Sequence, residues 1–308
     1  MLIKEGDSMK VAVTGGTGFL GKYVCDALRN SGFTPIILTR NRGNRSADFE
    51  FRETNYTKNN LINQLRDVEA VVHLAAKRGS QGLIAEFHDS EIMTQNLYDA
   101  CLENGIQNIV YASSISVYSD VNTLPWSETE LPLPNLMYGI SKLTCEYIGN
   151  IYTRNKGLSV KNLRFAHLYG FNEKNNYMIN LFMRQAFNKN TLILNTQSFA
   201  KREFLYAKDA AKAVVCALNK KEISGTFNIG SGEALTNYEV AIHINNVFEN
   251  QGNIHIKNPE AKEDIQPSYM DSSKALEKLG FTPSYSFTEA LDEIYQLMKG
   301  LEHVPIRY

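Results

Sequence analysis

The stretch Thr14-Gly15-Gly16-Thr17-Gly18-Phe19-Leu20-Gly21 decides the fold of this chain. A short apolar run over residues 10–14 precedes it, and a helical segment follows it to about residue 32. Glycines permit a tight turn between strand and helix, and they let a dinucleotide pyrophosphate approach the backbone at the positive end of a helix. The stretch therefore predicts a dinucleotide-binding turn, with a purely structural tight turn as the alternative.

Strand-like runs alternate with helical segments over the rest of the chain. Short runs rich in β-branched residues predict further strands at residues 34–39, 70–75, 108–113, 160–165 and 225–229. Such continuous apolar strands are typical of a parallel sheet covered on both faces. We therefore expect an α/β fold, a Rossmann-type doubly wound parallel sheet with a smaller mixed α/β substrate-binding domain. The expected boundaries are 9–167 for the dinucleotide-binding domain, with 207–229 returning to it, and 168–206 and 230–308 for the smaller domain.

The composition excludes several classes of partner. The 308 residues carry 32 Lys and Arg and 33 Asp and Glu, for a net charge of -1. Such a balance gives no basic field, so we expect neither nucleic acid nor a membrane as a partner. No apolar run reaches the ~18 residues that would span a bilayer. The cysteines lie far apart without metal-ligand spacing, which predicts no metal site and reduced thiols in a cytoplasmic protein; they are Cys25, Cys101, Cys145 and Cys216.

Tyr138 and Lys142 form a second motif, Tyr-x-x-x-Lys. On a helix this spacing brings the phenol and the ammonium to one face, so Lys142 can stabilise a tyrosinate that acts as a base near neutral pH. Ser114 closes the strand predicted near residue 108, the fourth in order, and its hydroxyl could share the substrate proton with Tyr138. Surface packing of the Tyr-Lys pair and capping of the strand end by serine are the alternatives.

Taken in order, these motifs resemble those of the extended short-chain dehydrogenases/reductases, and among them the NAD-dependent sugar-nucleotide epimerases and dehydratases. The resemblance covers residues 10–297. It rests on eight stretches in the order found in that family: TGGTGFLG (14–21), VVHLAA (71–76), YASSISVY (111–118), YGISK (138–142), LRFAHLYG (163–170), KREFLYAKDAA (201–211), GTFNIGSGE (225–233) and MDSSKALEKLGF (270–281).

The resemblance implies a tightly bound NAD or NADP, and a UDP-sugar or another nucleotide-diphosphate sugar as the substrate. The catalytic residues that it implies are Ser114, Tyr138 and Lys142. The cofactor contacts that it implies are Gly15, Thr17, Gly18, Phe19, Leu20, Gly21, Thr39, Arg40, Leu74, Ala75, Ala76, Tyr138 and Lys142. The implied substrate contacts are Ser114, Ser116, His167, Arg202 on the diphosphate and Asp264 near the ribose. The family also implies a homodimer through helices near residues 91–104 and 138–155.

The chain departs from the family pattern at three places. His167 stands where the family usually has an asparagine beside the sugar phosphate, and it is either a donor to the substrate or a packing histidine. Ala261 stands where an additional arginine for the diphosphate is common. The Asn-x-x-Gly-Thr start of a family helix is absent, because residues 89–94 read DSEIMT.

The residues after Ser114 narrow the expected reaction. Family members that dehydrate sugars have Asp and Glu in the next two positions, whereas this chain has Ile115 and Ser116, so dehydration is not expected. Deoxysugar epimerase-reductases of the family commonly have a cysteine where Ser116 stands. The expected reaction is therefore 4-epimerisation of a nucleotide-diphosphate sugar, in which Tyr138 removes the 4-hydroxyl proton while hydride leaves C4 for the nicotinamide. The ketone then turns over before the hydride returns.

The residues at the end of the second predicted strand favour NADP as the cofactor. Residues 39–42 read TRNR, whereas NAD-binding proteins of this fold usually have an acid there for the ribose 2′-hydroxyl. Arg40 or Arg42 could instead pair with the 2′-phosphate of NADP, although a solvated basic turn explains the same residues. NADPH would suit a reductase of nucleotide-diphosphate 4-keto-sugars, which is the alternative function. A non-catalytic nucleotide sensor is a third hypothesis, and the intact Ser114, Tyr138 and Lys142 argue against it.

Overall fold

The computed structural model describes residues 8–43, 48–79, 82–119, 123–261, 263 and 265–308. Its strands are β1 (Lys10–Thr14), β2 (Thr34–Thr39), β3 (Glu50–Glu53), β4 (Ala70–His73), β5 (Asn108–Ser114), β6 (Ser159–Phe165), β7 (His167–Tyr169), β8 (Leu192–Thr196), β9 (Arg202–Tyr206), β10 (Gly225–Ile229), β11 (Ala234–Leu235) and β12 (Ile254–Asn258). Its α-helices are α1 (Phe19–Asn30), α2 (Lys58–Gln64), α3 (His88–Glu103), α4 (Met137–Lys156), α5 (Met178–Phe187), α6 (Ala207–Leu218), α7 (Asn237–Val247), α8 (Ser273–Leu279) and α9 (Phe287–Lys299).

Seven parallel strands form the central sheet, in the order β10-β6-β5-β4-β1-β2-β3. The chain runs outward from β1 to β3 on one side and then crosses to β4 on the other side of β1. The crevice at the carboxyl ends of β1 and β4 is therefore a switch point of the topology, where open α/β sheets bind their ligands. This architecture confirms the predicted fold class.

Helices cover both faces of this sheet and bury nearly all of its side chains. On one face, α1, α6 and α8 pack on the sheet, and on the other face α2, α3 and α4 do so. In α1 the buried positions recur at helical spacing, at Gly21, Val24, Cys25 and Leu28. That stripe faces the sheet and directs the amino end of α1 at the switch point.

A second hydrophobic core lies outside the central sheet. It is built from residues of α5, α7 and α9 together with β7, β8, β9 and β11. β9 pairs with β7 on one side and with β11 on the other, and β8 pairs with β12 in a separate two-stranded sheet. These elements hold the segments that carry His167 and Arg202. Across the described ranges, no helix combines the length and the apolarity needed to cross a bilayer.

Two strands of the central sheet differ from the expectation, and the short strands outside it, β7, β8, β9, β11 and β12, were not predicted individually. The strand predicted over residues 70–75 ends at His73, because the N–H of Ala75 donates to the Thr14 hydroxyl at 3.1 Å and the N–H of Leu74 is shared between the hydroxyl and the carbonyl of Thr14, each at 3.2 Å. β3 has no counterpart in the prediction, since three of its four residues are charged and it lies at the edge of the sheet. Ser114 consequently ends the fifth strand of the chain and not the fourth.

Candidate active site

The glycine-rich turn packs so tightly that side chains are excluded from two of its positions. Gly15 has a φ of +70°, and a Cβ there would lie 2.8 Å from the backbone N of Ala75. A Cβ on Gly21 would lie 2.6 Å from Gly16 Cα. The turn, the first turn of α1 and the segment after β4 therefore contact one another through backbone atoms alone.

The amino end of α1 has the properties of a pyrophosphate site. Gly18 is the residue that precedes the helix, and it has no side chain with which to cap the first N–H groups. These groups point away from the helix and carry the positive end of its dipole. The bare backbone at the helix start suits a dinucleotide pyrophosphate, and the contacts of Thr17 and Phe19 with the cofactor stay predictions.

A buried hydrogen-bonded chain fixes the segment that follows β4. The Thr14 hydroxyl accepts from the N–H groups of Leu74 and Ala75, so its own proton goes to His73 Nδ1, at 2.7 Å. His73 Nε2 then carries the proton and donates to Thr94 on α3, at 3.0 Å. Burial, together with the positive charge of Lys142, lowers the pKa of His73 to about 3, so the ring is neutral. Residues 74–76, the predicted cofactor contacts, are thus held against the end of β1.

Thr39 and Arg40 lie at the carboxyl end of β2, where a ribose would be bound. The Thr39 hydroxyl donates to the carbonyl of Asn41 at 3.0 Å and is therefore used within the turn. The Arg40 side chain is exposed. Burial raises the pKa of Tyr56 to about 12, and the positive charge of Arg40 opposes this rise. A free basic group thus faces the solvent at the point where NAD and NADP differ.

The predicted catalytic residues meet beside this crevice. Ser114 ends β5 and caps the short 3₁₀ turn after it, and its hydroxyl donates to Ser116 Oγ at 3.1 Å. Tyr138 and Lys142 lie in the first two turns of α4, with the Lys142 ammonium 5.8 Å from the centroid of the Tyr138 ring. The ammonium also donates to the carbonyl of Ala112 at 2.6 Å. That bond fixes the amine at the end of β5, next to Ser114.

Gly139 explains how α4 comes so close to Ser116. A Cβ on Gly139 would overlap the carbonyl oxygen of Ser116 and lie 2.9 Å from Pro134 Cβ. The first turn of the helix therefore rests directly on the 3₁₀ turn that follows Ser114. The YGISK motif requires its glycine for this contact, a reason that the spacing of Tyr138 and Lys142 does not reveal.

Sequence reasoning missed an ion pair directly beneath these residues. Glu146, one turn beyond Lys142 on α4, accepts three hydrogen bonds from Nε and Nη2 of Arg164 on β6, with a shortest distance of 2.6 Å. Both side chains are at most 5% exposed, and Ser113 also donates to Glu146. The signal available in the sequence is a charge at each of two positions that the periodicity predicts as buried.

On the substrate side, Arg202 and His167 lie together as predicted. Arg202 Nη2 is 3.4 Å from His167 Nε2, and the Ser268 hydroxyl is 3.1 Å from the same nitrogen. Since a guanidinium only donates, Nε2 accepts and the proton of the neutral ring is on Nδ1. Burial lowers the pKa of His167 to about 3, and the charge of Arg202 adds to this effect. His167 is thus a contact of Arg202, and its role toward a substrate stays a prediction.

The remaining substrate prediction, Asp264, lies outside the described residues. Its neighbour Glu263 was not singled out by the sequence, yet it accepts from the backbone N–H groups of Phe199 and Ala200 at 2.6 and 2.8 Å. Burial lowers the pKa of Arg202, and the negative charge of Glu263 partly offsets that effect. Glu263 therefore ties the segment after β12 to the loop that leads into Arg202.

The fold and these residues define a dinucleotide-dependent enzyme with a Ser-Tyr-Lys set at the end of a parallel strand. The profile of the family described as the NAD dependent epimerase/dehydratase family matches residues 11–230. The chain belongs to this family, which confirms the resemblance drawn from its motifs. NAD is accordingly its cofactor, and the chain is an NAD-dependent enzyme.

Individual relatives give a closer likeness. A solved structure of UDP-N-acetylglucosamine 4-epimerase from Bacillus cereus is 64% identical to this chain, over 98% of this chain and 100% of its own, with a TM-score of 0.92. UDP-glucuronic acid 4-epimerase from the same organism, solved in complex with NAD, is 25% identical over 94% of this chain and 99% of its own, with a TM-score of 0.82. UDP-glucose 4-epimerase of Corynebacterium glutamicum is 26% identical over 90% of this chain and 92% of its own.

Proposed function

We propose that this enzyme is a UDP-sugar 4-epimerase whose substrate is UDP-N-acetylglucosamine. The observation that carries the proposal is the 64% identity to the Bacillus cereus epimerase over almost the full length of both chains. Ile115 and Ser116, which replace the acid pair of the dehydratases, support it independently, because water loss requires groups that this site lacks.

In the proposed mechanism Tyr138 is the base. NAD, when bound, accepts a hydride from C4 of the sugar and later returns it. Tyr138, as a phenolate, takes the proton of the 4-hydroxyl, and the Lys142 ammonium, whose nitrogen lies 5.8 Å from the centroid of the Tyr138 ring, stabilises that phenolate by its charge. Ser114 shares the same proton, since its hydroxyl lies at the end of β5 beside the first turns of α4. In the return step Tyr138 gives the proton back to the oxygen on C4.

The substrate side has to hold one end of the molecule while the other end turns. Arg202 is a cation for the diphosphate, with His167 Nδ1 as an additional donor and Asp264 near the ribose. On the sugar side the residues are short, Ser114 and Ser116, so few directional contacts oppose the rotation of the ketone. The enzyme must present both faces of the C4 ketone to the same hydride. It can do so if the diphosphate is held firmly and the sugar is free to turn.

The experiment is an interconversion assay with its own stoichiometric control. Purified enzyme is incubated with UDP-N-acetylglucosamine, UDP-N-acetylgalactosamine and the corresponding UDP-hexoses, and the products are separated by chromatography while absorbance is followed near 340 nm. We expect interconversion of the acetylated pair without accumulation of reduced cofactor. Tyr138→Phe should retain NAD and lose turnover. Stoichiometric oxidation of NADPH by a 4-keto-sugar, without interconversion, would replace the proposal by the reductase function that Arg40 favours.

We also propose that the enzyme is a homodimer. Large apolar side chains are exposed on α4: Tyr147 is 52% exposed and Ile151 is 50% exposed. Ile140 is also exposed on α4, and Ile92 is exposed on α3. Light scattering of the wild type should give twice the chain mass, and Tyr147→Glu should give one chain mass. Leu131→Glu is the control, at an apolar position outside α4 that is more exposed than Tyr147, and it should leave the mass unchanged.

A further inference from the structure

A buried network continues from the Glu146–Arg164 ion pair to Tyr118. Arg164 donates from Nη1 to the Tyr118 hydroxyl at 2.6 Å. The same hydroxyl lies 2.9 Å from Asn228 Oδ1 and 3.0 Å from the carbonyl oxygen of Ser127, and both are acceptors for its single proton. Tyr118 is fully buried, and its ring stacks on Trp126 with the centroids 5.3 Å apart. An ion pair in the interior is tolerated only when its remaining donors are satisfied, and Tyr118 satisfies one of them.

From Asn228 the network reaches the segment of residues 268–271. Asn228 Nδ2 donates to the carbonyls of Trp126 and Asp271, at 2.9 and 3.1 Å. Trp126 N donates to the carbonyl of Tyr269 at 3.0 Å, and Asp271 N donates back to Trp126 at 2.8 Å. One edge of residues 268–271 is therefore fixed by groups that Tyr118 and Asn228 hold in place.

The other edge of the same segment runs along Arg202. Ser268 N donates to the carbonyl of Lys201 at 2.8 Å, and Glu203 N donates to the carbonyl of Ser268 at 2.9 Å. Arg202 lies between these two bonds, and the Ser268 side chain contacts its neighbour His167. A continuous set of hydrogen bonds thus extends from α4, which carries Tyr138, to the backbone on both sides of Arg202.

We propose that Tyr118 is a positioning residue that sets the distance between the base on α4 and the diphosphate-binding Arg202. The inference rests on the proposed function, in which the diphosphate is held at one end while C4 must meet Tyr138. A substrate bound through its diphosphate cannot correct an error in this distance, because the two ends are held by different elements. Misplacement of reacting atoms by about 1 Å costs on the order of 100-fold in rate.

Two buried tyrosines offer a matched pair of variants. Tyr118→Phe removes one hydroxyl, keeps the ring against Trp126, and leaves Arg164 Nη1 and Asn228 Oδ1 without that partner. Tyr98→Phe removes the hydroxyl of an equally buried tyrosine on α3, whose oxygen has no hydrogen-bond partner among the described residues. The two variants are identical in chemistry and differ only in the network.

The test separates rate from binding. For Tyr118→Phe we expect kcat with UDP-N-acetylglucosamine to fall by about 10- to 100-fold. Its affinities for UDP alone and for NAD, measured by calorimetry, should stay within about twofold of the wild type, because neither ligand spans from Arg202 to Tyr138. Tyr98→Phe should match the wild type in all three measurements. Urea unfolding shows that both variants are folded under the assay conditions.

Each other outcome is decisive. A lower midpoint of unfolding for Tyr118→Phe with an unchanged kcat would make Tyr118 merely structural and would overturn the inference. A parallel loss of UDP affinity and kcat would overturn it as well, since the damage would then lie at Arg202 and not in the distance. If the wild type interconverts no UDP-sugar, the proposed function fails and the inference fails with it. Equal kcat values for the two variants on an active wild type overturn the inference alone.

Discussion

Substitution of Gly21 by alanine tests whether the close backbone packing of the glycine-rich turn is what binds NAD. A Cβ at this position would lie 2.6 Å from Gly16 Cα and 2.7 Å from Gly16 C. These are backbone atoms, so no side-chain rotation can relieve the overlap. Either α1 or the turn has to move by roughly 1 Å, a displacement that matters wherever groups must be held in register.

The expected cost follows from that displacement. Overpacking of this kind destabilises proteins by about 1–3 kcal/mol, and the free energy of unfolding should fall by that amount. The moved helix end no longer directs its N–H groups at the pyrophosphate. We therefore expect NAD affinity to fall by more than about tenfold, which corresponds to ~1.4 kcal/mol.

The assay uses a second glycine as its control. At Gly300, which ends α9, a Cβ would meet only the carbonyl of Leu297 at 3.4 Å, an ordinary contact, and φ is -76°. Gly300→Ala should change stability by less than about 0.5 kcal/mol and leave NAD binding intact. Calorimetric NAD titration and urea unfolding of both variants give the two quantities. Wild-type NAD affinity in folded Gly21→Ala would refute the reasoning.

Three further predictions concern charge. If Arg40 binds a 2′-phosphate, Arg40→Ala should weaken NADP binding by about 1–3 kcal/mol and hardly affect NAD, and equal effects in the two titrations would exclude that role. Lys142→Ala should shift the pH profile of activity to higher pH, because the Tyr138 phenolate loses its stabilising ammonium; an unshifted profile would mean that Tyr138 is not the base. His73, with its pKa lowered by burial to about 3 from 6.5, takes up a proton on unfolding. Stability is therefore full above pH 6.5 and falls below it, by about 2 kcal/mol from pH 7 to about pH 5, and His73→Gln should abolish this part of the slope in urea titrations.

The central sheet could be predicted because its strands are buried on both faces. An apolar run such as residues 108–113 must be a buried strand whatever lies next to it, and the structure has β5 there. β3 was not predicted, because an edge strand has only one neighbouring strand and can therefore be polar. Its sequence, EFRE, is polar. The early end of β4 depends on the Thr14 hydroxyl, 60 residues away, and no local pattern reports such a bond.

In the functional site, too, local features could be predicted from the sequence and long-range contacts could not. The glycine-rich turn and the Tyr138–Lys142 spacing are local, so the sequence reports them directly. Glu146 and Arg164 are charged residues that no sequence motif singles out. They form a buried ion pair only because α4 packs on β6. The tautomer of His167 likewise depends on Arg202, which approaches from another strand. Interactions between distant segments are fixed by tertiary packing, and these were the ones missed.

The second hydrophobic core has a consequence for engineering. Its residues come from three separated stretches of the chain, 169–206, 235–248 and 287–304, and β10, which belongs to the central sheet, lies between two of them. A contiguous cassette therefore cannot be cut from this enzyme and exchanged with that of a relative to transfer sugar preference. Any such graft would have to join three stretches while leaving β10 in the central sheet, so point substitution suits this architecture better than the exchange of one contiguous segment.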